Sequence, residues 1–362
     1  MKLIAFDLDG TLAPSKAPLS EGMADLLSAL LQKYQVAVIS GASFAQFQSQ
    51  FLSHIKAGPE SLGRLFILPT DGAELLAFEN GAWISKYNHV FSVEEVEKVS
   101  KALKEMSARH SDMFPATTSG EQIENRGGQI TFSALGQQAL IDDKSKWDPD
   151  FAKRRILIGE LAETLPDFSI AMGGMTSIDI RKKGIDKPFG LEQVAKLLSI
   201  QKEEVLYIGD ALMPGGNDYA VFEAGFPTKK VRYPGETALL IRELAGLSRP
   251  EHVVDHRPWG EFEEFSKNEP STVKTLNVKK GEELSKQYHS KRCEFWKVLK
   301  GQPEISIDSV VMEAKEGEEF WIERFSSHRI GAPVDDVEIL EVSFGEFDED
   351  DIVRESDKYG RV

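Results

Sequence analysis

The chain opens Met1-Lys2-Leu3-Ile4-Ala5-Phe6-Asp7-Leu8-Asp9-Gly10-Thr11-Leu12, an apolar run cut short by two carboxylates and a glycine. Such a run closed by Asp and Gly predicts a buried strand breaking into a tight turn. Open α/β sheets gather their ligands at the carboxyl ends of strands, where Asp7 and Asp9 fall. Two acids one residue apart repel each other and need a cation, and Mg²⁺ takes carboxylate and backbone oxygens octahedrally. One Asp can then attack phosphorus as a nucleophile while the other handles protons. Asp-Gly also ends many strands as a plain capped turn, so the rest of the chain has to decide between these readings.

After that turn, Ser20 to Tyr34 reads as an amphipathic helix capped by Ser20, with Met23, Leu26, Leu27, Leu30 and Leu31 near helical spacing. Gln35-Val36-Ala37-Val38-Ile39-Ser40-Gly41 predicts a second buried strand, and Ala42 to Leu52 a helix. A hydroxyl at a strand end, followed by free backbone N–H groups, can hold a phosphate oxygen, although it can equally be a helix cap. Leu65–Pro69 predicts another strand, and Asp71-Gly72-Ala73 through Glu79-Asn80-Gly81 a hairpin. From 84 to 184 the texture changes to helices mixed with alternating strands, among them Gln129–Ser133 and Ser177–Ile180. Lys187 then precedes the helical run Leu191 to Leu198, and Glu204-Val205-Leu206-Tyr207-Ile208-Gly209-Asp210 predicts one more strand ending in an acid.

The string Asp7-Leu8-Asp9-Gly10-Thr11-Leu12 resembles the first motif of the haloacid dehalogenase superfamily, and the later motifs follow in order. The resemblance implies phosphoryl transfer through an aspartyl-phosphate on Asp7, with Asp9 as acid and base, and Ser40 and Lys187 on the transferring oxygens. It further implies Mg²⁺ held by Asp7, Asp9 through its backbone carbonyl, and Asp210, with Asp218 and Asn217 acting through a second contact or a water. The segment 84–184 would be an α/β cap that selects the substrate. Met213-Pro214-Gly215-Gly216-Asn217-Asp218-Tyr219 is similar to the eukaryotic-type phosphomannomutases, as are Ile123-Glu124-Asn125-Arg126-Gly127-Gly128 and Gly173-Gly174-Met175-Thr176-Ser177-Ile178-Asp179. That family implies Arg126 on a substrate phosphate and Ser177 with Asp179 on sugar hydroxyls. The chain departs from it at Gln137, where the family carries a second Arg, at Lys144, which stands for a third, and at Lys16 near the hinge. Fewer guanidiniums imply a looser hold on a bisphosphate intermediate, which sets mutase against plain sugar-phosphate phosphatase.

Beyond Leu247-Ser248-Arg249-Pro250 the chain turns to short alternating strands separated by Gly, Lys and Glu, the pattern of an antiparallel barrel. Gln287 and His289 alternate onto one strand face, Glu294 can return from the turn, and His328 can come from a partner strand. Two imidazoles, a carboxylate and an amide oxygen suit Zn²⁺ or another divalent first-row metal. This segment resembles the cupin domain of type II mannose-6-phosphate isomerases, through Arg257-Pro258-Trp259-Gly260, the Gln287-x-His289 to Glu294 motif, His328 and the tail from Asp351 to Arg361. The family implies aldose–ketose isomerisation, with Lys274, Arg292 and Arg354 as candidates for phosphate and proton roles. Ser290 and Lys291 replace residues often His in that family, and Trp321-Ile322-Glu323 lacks its usual Pro.

The expected architecture is therefore multi-domain, α/β followed by all-β. A Rossmann-like core would take 1–83 and 185–248, the cap 84–184, and a C-terminal cupin, a double-stranded β-helix barrel, 249–362. A net charge of −16 argues against a nucleic-acid surface, and no apolar run is long enough for a membrane span. The chain enters its first strand without a charged leader, so no signal peptide is expected, and the single Cys293 fits a reducing cytoplasm. No guanylyltransferase domain is expected either, since its Gly-rich opening is missing. The expected partners are small hexose phosphates, with a hexose bisphosphate as activator and a homodimer left open. The functional expectation is conversion of mannose 6-phosphate to mannose 1-phosphate joined to mannose-6-phosphate isomerisation. A phosphatase, or a cupin that only binds sugar or dimerises, stands as the alternative.

Overall fold

The computed structural model describes residues 1–247, 253–268, 270–308 and 310–361. Contacts divide it into two compact units: residues 1–8, 34–49 and 58–230 form one, and residues 9–33, 50–57 and the described part of 231–362 the other. The composition break expected at Ser248-Arg249-Pro250 lies outside the described residues.

In the first unit the strands run β1 (Leu3–Asp7), β2 (Gln35–Ile39), β3 (Leu65–Leu68), β4 (Glu74–Glu79), β5 (Ala82–Asn88), β6 (Ile123–Asn125), β7 (Gln129–Ser133), β8 (Phe168–Met172), β9 (Ser177–Lys182), β10 (Val205–Gly209) and β11 (Thr228–Lys230). A seven-stranded sheet has the order β11-β10-β1-β2-β3-β4-β5, parallel from β11 to β3 and antiparallel over β4 and β5. All five residues of β1 are buried, as an unbroken apolar run inside a parallel sheet must be. Asp7 pairs with Ile39 and Phe6 with Ile208, so Asp7, Ser40 and Asp210 emerge at one edge. The hairpin turns at Asn80-Gly81 between β4 and β5, and β5 runs across the boundary expected at residue 84. Residues 70–72, expected to belong to that hairpin, make instead a tight turn in which Thr70, Asp71 and Gly72 are all left-handed, at φ of 50°, 54° and 91°. Two successive non-glycine residues in that region mark a held, strained turn.

The second sheet of this unit is antiparallel, in the order β6-β7-β9-β8. One face, with Ile130, Phe132, Ile178 and Ile180, packs into an apolar cluster beneath the helices Val93–Arg109 and Ala152–Thr164. The other face is mostly polar, because strand alternation carries Gln129, Thr131, Ser133, Ser177, Asp179 and Arg181 there together, beside Ala171 of β8.

The second unit contains β12 (Val253–Arg257), β13 (Gly260–Glu264), β14 (Ser271–Val278), β15 (Lys286–His289), β16 (Arg292–Lys300), β17 (Glu304–Ile307), β18 (Val310–Glu313), β19 (Glu319–Ile322), β20 (His328–Gly331), β21 (Val337–Gly345) and β22 (Ile352–Ser356). They form antiparallel sheets in the orders β14-β21-β16-β19 and β18-β17-β20-β15-β22, with β12 and β13 as a separate pair. This is the all-β, antiparallel region expected from the alternation, consistent with the cupin that the resemblance implies. Helix Glu21–Leu30 has Ser20 as its N-cap, as expected, and packs with helix Pro234–Ala245. The latter helix docks on β19, where the Arg242 guanidinium forks onto Glu323 at 3.0 to 3.2 Å. Among the described residues, no helix is long and apolar enough to cross a membrane.

Candidate active sites

The sheet edge that carries Asp7 meets the first turn of helix Lys187–Leu198, which starts at Lys187 itself because Asp186 caps it by accepting from Phe189 N at 3.0 Å. Gly72 and Gly190 allow this close packing, since a Cβ on Gly190 would stand 2.9 Å from the Gly72 Cα. Fully buried Lys187 donates from Nζ to Asp7 Oδ1 at 2.6 Å and to Asp218 Oδ1 at 2.7 Å. Tyr207, buried in β10, donates its hydroxyl to Asp218 Oδ1 at 2.5 Å, and Asp218 Oδ2 accepts from Ala211 N at 3.1 Å. Gly209 must lack a side chain because a Cβ there would collide with the Asp218 carboxylate.

Burial drives the Asp7 pKa well above the carboxylate range; Lys187 pulls it back, and Asp218 and Asp210 push it up again. Burial lowers Lys187, but Asp218 and Asp7 outweigh it and hold the ammonium charged. Carboxylate oxygens of Asp7, Asp210 and Asp218 lie within 4.8 Å of one another. Three acids against one ammonium leave net negative charge at a largely buried point, and an all-oxygen donor set of this kind fits Mg²⁺.

The remaining expected residues fall as follows. Ser40 is buried at the end of β2, its Oγ accepting from Ala42 N at 3.2 Å. Asp9, in the turn after β1, accepts on Oδ1 from Lys16 N at 2.7 Å. Arg126 donates from Nε and Nη2 to Glu124 at 2.9 and 2.7 Å and from Nη1 to Gly41 O at 2.8 Å. The structure thus brings Arg126 to the turn after β2 and engages its guanidinium there. Ser177 Oγ lies 3.2 Å from Ser133 Oγ, and Asp179 Oδ1 accepts from Thr131 at 2.8 Å, both on the polar sheet face. Lys144 is half-buried on helix Ile141–Trp147, and Asn217 is exposed. Tyr207, Asp71 and Arg181 were not foreseen. A tyrosine in an otherwise aliphatic strand is a signal for the first, and the Thr-Asp-Gly turn a weak one for the second.

In the second unit β15 brings His289, β16 Glu294 and β20 His328 to one buried point where the two sheets meet, with ligand atoms within 4.8 Å. His328 Nδ1 lies 2.9 Å from Ser326 O, and this carbonyl fixes the tautomer that leaves Nε2 with its lone pair. That Nε2 is buried with no hydrogen-bond partner among the described residues. Burial lowers the His328 pKa, with Glu294 opposing. Burial favours a protonated Glu294, but hydrogen bonds from His289 and Arg292 and the attraction of the two histidines prevail and take it down to about 2. An imidazole with an orphaned nitrogen beside an ionised carboxylate fits a divalent metal. Gln287 lies opposite His328, its Oε1 accepting from Ser285 at 2.7 Å. The turn Ser290-Lys291, where the sequence departs from its relatives, is pinned by Asp351, which accepts from Lys291 N at 2.9 Å.

Arg292, expected to meet phosphate, is instead spent on the ligand set. It donates from Nε to Glu294 Oε1 at 3.0 Å and from Nη1 to Asp348 O at 3.1 Å, and its Nη2 lies 3.0 Å from His289 Nε2. Lys274 lies over the Phe347 ring at 3.9 Å and pairs with Glu349 at 3.3 Å. Arg354 aligns with Gln287, its Nε buried without a hydrogen-bond partner among the described residues. Glu341, unforeseen as a site residue, lies across from Lys274 and is pushed up to about 7 by burial and by Glu294.

An α/β sheet whose parallel strands end in metal-fitting acids, with an antiparallel cap sheet, followed by a cupin-like β region, defines the class: a haloacid-dehalogenase-type core with a cap, followed by an all-β, cupin-like region. The sequence profile described as eukaryotic phosphomannomutase matches residues 23–245, and the chain belongs to that family; the profile of the mannose-6-phosphate isomerase C-terminal region matches residues 248–357. The phosphomannomutase of Saccharomyces cerevisiae is 26% identical over 251 residues, covering 68% of this chain and 94% of the yeast protein. The mannose-1-phosphate guanylyltransferase of Escherichia coli is 34% identical over 128 residues, 34% of this chain, and the chain spans only 27% of that protein. An IMP-bound, N-terminally truncated IMP-nucleotidase of Plasmodium falciparum shares the fold at a TM-score of 0.52 and 18% identity, over 68% of each chain.

Proposed function

We propose that the first unit converts mannose 6-phosphate to mannose 1-phosphate through an aspartyl-phosphate, and that the cupin region interconverts fructose 6-phosphate and mannose 6-phosphate. The corresponding division is core 1–83 and 185–248, cap 84–184 and cupin 249–362. The observation that carries the reading is the buried Asp7–Lys187–Asp218 cluster at the sheet edge, 2.6 and 2.7 Å across its two ion pairs.

Asp7 attacks the phosphoryl group in this scheme. Lys187, already bonded to Asp7, neutralises the transferring oxygens, and the Ser40 hydroxyl orients one of them. Asp9 gives its proton to the departing sugar oxygen and then takes one from the incoming hydroxyl. Asp7, Asp210, Asp218 and the Asp9 carbonyl would hold Mg²⁺, which supplies positive charge to phosphoryl oxygens. In the cupin, His289, Glu294, His328 and Gln287 would hold a divalent first-row metal that polarises the sugar carbonyl. Lys274 and Arg354 face phosphate in this reading, while Arg292 braces Glu294 and His289. Mannose 6-phosphate is the compound shared by both reactions.

A second reading, hydrolysis of the sugar phosphate, draws on the engagement of Arg126 with Glu124 and Gly41, which leaves less guanidinium for a distal phosphate. One tube separates the two: mannose 6-phosphate with Mg²⁺ and a trace of hexose bisphosphate, followed by ³¹P NMR. Mannose 1-phosphate without inorganic phosphate supports the mutase, whereas phosphate release alone selects the hydrolase. Fructose 6-phosphate consumed in the same tube, and its consumption lost on His289→Ala, tests the isomerase.

A further inference from the structure

A sheet face made of Gln, Thr, Ser, Asp and Arg belongs in water, yet this one is covered. Gln129 is 0% exposed, Thr131 2% and Asp179 9%. Part of its hydrogen-bonding capacity is used internally: Gln129 Nε2 donates to Thr131 Oγ1 at 3.0 Å, and Thr131 Oγ1 to Asp179 at 2.8 Å. Arg181, directly across from Gln129 in the β7–β9 pair, forms an ion pair from Nη1 to Asp71 Oδ2 in the strained 70–72 turn. Three buried atoms of this group have no hydrogen-bond partner among the described residues: Gln129 Oε1, Asp71 Oδ1 and Arg181 Nε. Leaving two acceptors and one donor buried without a hydrogen bond is costly, and such groups call for a polar guest.

The space for a guest adjoins Gly41. A Cβ built there would be in ordinary contact with Gln129 Nε2 at 3.5 Å, Asp71 Oδ2 at 3.6 Å and Gln129 Oε1 at 3.8 Å, so the bare glycine leaves a gap with room for one atom, the size of a hydroxyl oxygen, between the amide and the carboxylate. This gap is next to Ser40 along the chain, and Asp71 N donates to Ser40 O at 2.9 Å. Lys187 Nζ stands 4.0 Å from Asp71 Oδ1 and 2.6 Å from Asp7 Oδ1, so a single ammonium separates the gap from the nucleophile.

We propose that Gln129, Asp71 and Arg181 form a hydroxyl-recognition subsite that reads the sugar ring beside the transferring phosphate. Neighbouring ring hydroxyls supply two O–H donors and an oxygen acceptor, the complement of the three unpaired atoms. The subsite is distinct from Ser177 and Asp179 and makes the left-handed Asp71 a determinant of which sugar phosphate is accepted. It rests on the phosphohexose reading of the first unit.

The test is a cycle between substrate and variant. Mannose 6-phosphate and its monodeoxy analogues are assayed on the wild type, Gln129→Met and Asp71→Asn, the latter an exchange the left-handed backbone tolerates. The wild type should lose ~10-fold or more in kcat/KM on at least one deoxy analogue. Gln129→Met should lose about as much on the parent sugar, chiefly in KM, and nothing further on that analogue. Binding of mannose 6-phosphate should raise the melting temperature of the wild type more than that of either variant. Equal losses on parent and every analogue would mean a structural role and overturn the subsite, as would no loss at all, which would leave water as the guest. If the wild type neither binds nor turns over any hexose phosphate, the phosphohexose reading itself falls and takes the subsite with it.

Discussion

The two buried clusters solve opposite charge problems. Around Asp7 the acids outnumber the base, and burial drives the nucleophile's carboxyl upward. Around Glu294 two imidazoles and Arg292 surround a single acid, and it is held ionised at about 2. An acid-rich oxygen set fits a hard cation such as Mg²⁺. A carboxylate among imidazoles fits a softer first-row metal. The contrast predicts that the two clusters take up metal independently.

The strongest way to break this contrast is Asp7→Asn. Removing the nucleophile should cut phosphoryl transfer by ~10³-fold or more while fructose 6-phosphate isomerisation persists, both read by ³¹P NMR. Loss of both together would show that the clusters are not independent. Metal removal sharpens the same contrast. His328→Ala should lower bound first-row metal by about 10- to 100-fold in affinity, measured by elemental analysis after dialysis, and leave the Mg²⁺ requirement of phosphoryl transfer unchanged.

Tyr207→Phe probes the acid-rich side alone. Burial raises the phenol far beyond its usual pKa, so it remains a donor to Asp218. Its loss should cost about 1 to 3 kcal/mol of stability in denaturant unfolding, with phosphoryl transfer reduced ~10-fold. Asp308→Asn is the smallest change and lies in the β region. Burial lifts Asp308 to about 6, so its folded state prefers the protonated acid. Its contribution to stability is full below about pH 4 and is lost as pH rises through 6. The Asn variant, which also suits the left-handed φ of 54° there, should be more stable than wild type at pH 7.5, by at most about 3 kcal/mol. That advantage should vanish near pH 4 in melting experiments.

Much of both sites could be read directly from the chain. Asp7 and Asp210 stand at strand ends because an apolar run that stops at an acid has little choice of where to put it. His289 and Glu294 could be paired because two short strands around a Ser-Lys turn face each other. The contacts of Arg292 were not legible, for an equally physical reason. A guanidinium three residues from one ligand and two from another can point outward to a phosphate or inward to its neighbours, and spacing does not distinguish these. Asp71 was hidden inside a turn that resembled half of a hairpin.

Local pattern determined most strands, the helix cap at Ser20 and the residue types able to hold a metal, because backbone geometry and hydrogen-bond inventory act within a few residues. Only the tertiary structure decided which charges are buried together. Lys187 reaches Asp7 across 180 positions, and Arg181 reaches Asp71 across 110. Desolvation and pairing at such separations depend on how sheets and helices close over one another, which short sequence patterns do not encode.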